Sequence, residues 1–76
     1  MSIYKIRDTL QTTIENKTKL LGDLEHSLSI STMAESLAIK VTIEFLEINL
    51  TELNNILDHV NAVIIEYNER KDNYWD

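Results

Sequence analysis

Seventy-six residues with no cysteine, no proline and a single glycine leave room for one small domain, exclude disulfide stapling and remove the usual punctuation of β-hairpins and sandwiches. A chain this short buries only about 60 % of its unfolded surface, so oligomerisation or a partner protein is the expected source of further stability. The net charge of −6 disfavours direct contact with phosphate backbones. The charge is also lopsided. Residues 1–31 balance Lys5, Arg7, Lys17 and Lys19 against Asp8, Glu15, Asp23 and Glu25, so the whole excess of acid falls in residues 32–76.

The first ten residues, MSIYKIRDTL, lack the apolar core of a signal peptide, and no window approaches the roughly 18 apolar residues of a membrane span. A cytoplasmic protein without a membrane or nucleic-acid partner is the expectation. From Ile3, the residues Leu10, Ile14, Leu21, Leu24 and Leu28 recur at helical spacing. Ile6 and Leu20 widen the stripe, and Arg7 and Lys17 interrupt it with charge. The pattern predicts one amphipathic helix over about 3–29. Gly22-Asp23 is its weak point, because a mid-helix glycine costs about 1 kcal/mol relative to alanine.

A serine-rich break follows in 27-SLSIS-31, with the turn placed at about 30–32, and then 32-TMAE-35 fits a capping box. In that motif the Thr32 hydroxyl accepts from the Glu35 amide while the Glu35 carboxylate accepts from the Thr32 amide. A second helix, about 33–72, starts there. Its first part, 34-AESLAIKVTIEFLEINL-50, also reads as a strand when taken in steps of two. The ambiguity resolves on extension, since Ile39, Ile43, Leu46, Leu50, Leu53, Leu57, Val60, Ile64 and Tyr67 continue at three- and four-residue spacing. The expected fold class is therefore all-α, a two-helix antiparallel hairpin in the manner of a coiled coil, completed by a dimer or a partner protein.

Two apolar surpluses are expected on such a hairpin. A first helix of about 26 residues covers an equal length of its neighbour, which predicts an overhang from about Val60 onward, including Val63, Ile64 and Tyr67. Independently, Ala34, Leu37, Ala38, Val41, Phe45 and Ile48 form a second stripe pointing away from the seam, and large exposed apolar patches mark interaction sites. The tail 67-YNERKDNYWD-76 adds Tyr74 and the only tryptophan, Trp75, aromatics of the kind that anchor interfaces. The candidate partner-binding residues are Leu37, Ala38, Val41, Phe45, Ile48, Val63, Tyr67 and Trp75.

No residues announce chemistry. His26 and His59 each follow an acid, but helix neighbours point about 100° apart and form no dyad. Neither has a second histidine or a cysteine at ligand spacing, so no metal and no cofactor is expected. Glu44 with Glu47, and Glu66 with Glu69, share helix faces and read as solvated charge. The chain has no glycine-rich phosphate loop, and no enzymatic activity is expected.

A short, cysteine-free chain in which 20-LLGDLEHSL-28 ends one helix, a serine-rich turn follows and 46-LEINLTELNNILDHVNAVIIEY-67 forms a long second helix resembles the small co-chaperones of type III secretion needle subunits. The resemblance spans most of the chain and rests on pattern. It implies a non-catalytic adaptor that, with a helical-repeat chaperone, keeps a needle subunit from polymerising in the cytosol. Two other readings stand beside it. A small acidic phage or mobile-element protein could inhibit a nucleic-acid enzyme by presenting carboxylates where phosphates would sit, although Glu44, Glu47, Glu52, Asp58 and Glu66 are spread around the helix. A homodimeric helical bundle could serve a structural role.

Overall fold

The computed structural model describes the chain from residue 2 to residue 75, with side chains from residue 2 to residue 70. It is an all-α antiparallel hairpin: α1 spans Ile3–Ile30 and α2 spans Met33–Trp75. Local chemistry marks the start of each helix. The Ser2 hydroxyl accepts from the Tyr4 amide at 3.2 Å and caps α1. At the turn both bonds of the capping box are present, Glu35 N–H to Thr32 Oγ1 and Thr32 N–H to the Glu35 carboxylate, each at 3.3 Å. Ser31 and Ser36 join their hydroxyls across the connection at 2.8 Å, and Ser31 and Thr32 alone separate the two helices.

Along α1, the residues Ile3, Ile6, Leu10, Ile14, Leu21, Leu24 and Leu28 turn inward. They meet Ile39, Ile43, Leu46, Leu50, Leu53, Leu57, Val60 and Ile64 of α2. Leu46 and Ile64 are the most enclosed of the described residues, at 8 % and 7 % exposure. The remaining seam residues are half-buried, as expected where two helices meet along one line and no third element closes over them. Helix continues through Gly22, and a Cβ added there would meet nothing within 4 Å. Threonines within the helices turn their hydroxyls back onto the carbonyl one turn earlier, as Thr13 does to Thr9 and Thr42 to Ala38. This satisfies their polarity without breaking the ladder.

The predicted overhang from Val60 is not what the hairpin builds. Val60 is half-buried and Ile64 is enclosed. Near the start of α1, the Tyr4 hydroxyl donates to Asn68 Oδ1 at 3.2 Å. Counting α1 residue for residue from Met33 places its end too early. Ser31 pairs with Ser36, so the first turn of α2 lies beside the connection and the alignment shifts toward the C-terminus of α2. Tyr67, the last member of the predicted seam, is exposed. Three residues beyond Ile64, it has rotated off the face that α1 covers.

The two basic interruptions of the α1 stripe are accommodated differently. Lys17 is half-buried and its ammonium donates to Asn49 Oδ1 across the seam. The Arg7 guanidinium lies 5.4 Å from the centre of the Tyr4 ring and pairs with Asp8 at 3.1 Å. The result is a rod of 64 × 18 × 15 Å with a radius of gyration of 18.1 Å, where a globular chain of this length has about 11 Å.

Candidate functional site: the outer face of the second helix

Alternation of three- and four-residue steps puts two apolar faces on α2. One is the seam. The other, centred well over 90° away around the helix, carries Leu37 at 66 % exposure, Val41 at 55 %, Phe45 at 73 % and Ile48 at 60 %. Ala34 and Ala38 lie among them and are exposed too. From Ala34 to Ile48 the stripe runs about 21 Å along the axis, and Glu52, one turn further, ends it. Beside Phe45 the stripe borders a shallow groove of about 280 Å³ where the helices meet, lined by Lys17, Leu20, Thr42, Phe45, Leu46 and Asn49.

The other candidate residues fall elsewhere. Val63 and Tyr67 are exposed because their angular position carries them past α1, and not because α1 is too short to reach them. They stand beyond Glu52 and are not continuous with the 34–48 stripe. The side chain of Trp75 lies outside the described residues. Several exposed apolar residues were not singled out by the sequence pattern: Ile30, Met33, Ile56 and Ile65; Leu20, expected to widen the α1 stripe, is exposed as well. Ile56 could have been found, since it stands two turns beyond Ile48 on the same side of the helix. Leu20 reads as a flank of the α1 stripe in sequence and becomes a wall of the Phe45 groove only once the helices pair.

The surface offers contact area and charge. His26 and His59 are both exposed, and among the described residues the His59 ring bonds to the Asn55 carbonyl of its own helix, at 2.7 Å. Glu44 and Glu47 are exposed, and Glu66 pairs with Arg70 one turn on. Among the described residues no polar or charged side chain is buried, and no three histidine or acidic side chains gather as a metal site would require. Among the described residues no helix is long and apolar enough to cross a membrane. What the fold defines is a two-helix hairpin with one apolar face of α2 packed and one unpartnered. Comparison with protein-family models, curated proteins and solved structures gives no match to this chain.

Proposed function

We propose that this chain is a non-catalytic, cytoplasmic protein-binding adaptor that docks on other chains through the outer stripe of α2. The observation that carries the reading is Phe45, a large aromatic side chain at 73 % exposure on one helix face with the exposed Leu37, Val41 and Ile48. Leaving such a side chain in water forfeits about 2 kcal/mol that burial would return, and well-packed aromatic anchors dominate binding energies at interfaces. The hairpin architecture with its long second helix also fits the role of the small co-chaperones of type III secretion, in which the partners are a helical-repeat chaperone and a needle subunit. Helical partners of that kind would present complementary apolar ridges to the stripe.

Capture from the native cell extract by immobilised wild type and Phe45→Asp, compared at low and high salt, tests the reading. The free variant places its carboxylate in water and keeps its helicity by circular dichroism. In a complex the same carboxylate is desolvated without a partner, at a cost of several kcal/mol, so affinity falls about a thousandfold. Loss of the captured protein from the variant at every salt concentration supports an apolar docking face. Equal capture by both proteins refutes it. Capture that survives Phe45→Asp and disappears with added salt assigns the binding to the acidic surface, the behaviour of a phosphate mimic.

A further inference from the structure

We infer that in the free protein the outer stripe of α2 is occupied by a second copy of this chain, laid antiparallel on the first about a two-fold axis that crosses α2 between Val41 and Phe45. The inference rests on the reading of this stripe as a docking face and names its occupant.

The rod has surface to spare for an interface. A compact chain of 8.8 kDa exposes about 4,800 Å², whereas this one exposes 6087 Å². The excess, roughly 1,300 Å², exceeds the approximately 800 Å² that each partner gives up in a standard interface.

The order of residues along the stripe shows what the cover is. A two-fold interface must be self-complementary, so that a residue facing another is faced by it in return. Antiparallel pairing of 34–48 with itself meets this condition: Leu37 stands opposite Ile48 of the copy and Val41 opposite its Phe45, and the same pairs recur with the copies exchanged. The large Phe45 ring lands beside the small Ala38 of the other chain, as a knob requires a hole. Charge then selects the direction. Lys40, Glu44 and Glu47 lie together on one flank of the stripe, all exposed. The ion pairs among the described residues are Arg7 with Asp8 and Arg70 with Glu66, so these three are unpaired. In the antiparallel register like flanks face each other, and Lys40 falls between Glu44 and Glu47 of the copy, twice by symmetry. In a parallel register this flank would face the side that carries Ala38, Thr42 and Asn49, and neither pair forms. A foreign partner must displace the copy, so its apparent affinity falls as the hairpin is concentrated.

Two complementary variants test the inference. Lys40→Glu makes the flank uniformly acidic, and Glu44→Lys/Glu47→Lys makes it uniformly basic. All three positions are exposed, and circular dichroism verifies that both variants keep the hairpin. Sedimentation equilibrium at low salt is expected to show each variant dimerising about tenfold more weakly than wild type, with their mixture restored to the wild-type constant as a heterodimer, and the differences shrinking in high salt. A wild type that stays monomeric up to millimolar concentration overturns the inference. So do variants and mixture that all dimerise like wild type while Phe45→Asp does not, an outcome that leaves the docking face standing with another register. If Phe45→Asp dimerises as wild type does, the docking face itself fails and the inference falls with it.

Discussion

Phe45 and Leu46 are neighbours in sequence, similar in hydrophobicity and held in the same uninterrupted helix, yet one is 73 % exposed and the other 8 %. A step of about 100° around the axis separates them. Leu46 falls on the line that α1 can cover, and Phe45 falls off it. The same contrast distinguishes the helices. The large apolar residues of α1 lie mostly on one face, which the hairpin uses. Those of α2 lie on two, and a single neighbour can cover only one. Hydrophobicity alone therefore does not decide burial here; angular position relative to α1 does. The consequence is a division within one helix, with the seam holding the hairpin and the outer stripe left exposed.

The sharpest way to break that division is to place the same charge on each face. Leu46→Asp forces a carboxylate into the seam at a cost of several kcal/mol, comparable with the whole stability of so small a domain. Helicity at 222 nm should collapse, and Leu50→Asp one turn on should sharply lower the melting temperature. Phe45→Asp should leave the helical signal in place. Reversed results would mean that the two faces are exchanged. A smaller effect belongs to the turn, which sets the register of the seam against α1. Thr32→Ala removes the acceptor for the Glu35 amide and should cost about 1 kcal/mol in chemical denaturation. The smallest effect sharpens the comparison from the α1 side. Gly22 is exposed in mid-helix with open space around its Cα, so Gly22→Ala should raise stability by about 0.5–1 kcal/mol. It should leave association unchanged.

Periodicity made most of this molecule legible from its sequence. The three- and four-residue spacing of Ile39 through Ile64 identified a helix where alternation around Val41 suggested a strand, and Thr32 with Glu35 marked the start of α2 within a residue. Spacing also separated Leu37, Val41, Phe45 and Ile48 from the seam, because helix geometry fixes relative angles wherever the helix is continuous. Alignment between the helices was not legible. It depends on Ser31 meeting Ser36 and on Tyr4 reaching Asn68, contacts between residues with no sequence signal linking them, and the overhang assigned to Val60 and Ile64 failed for that reason. The Lys17–Asn49 bond and the place of Leu20 beside Phe45 were hidden for the same cause. Whether a second surface matches the outer stripe is a property of that surface, which the sequence of one hairpin encodes only so far as the surface is its own.

The division between the two faces is tested most directly by thermal unfolding of wild type and Phe45→Asp, followed by circular dichroism over about a hundredfold range of protein concentration. Association that covers the stripe stabilises the folded state by mass action, so the wild-type melting temperature should rise with concentration by several degrees. That of Phe45→Asp should stay constant, at the value wild type approaches on dilution. A wild-type melting temperature independent of concentration, or a Phe45→Asp variant that melts far below dilute wild type, would contradict the account, the first by removing the association and the second by placing Phe45 in the core.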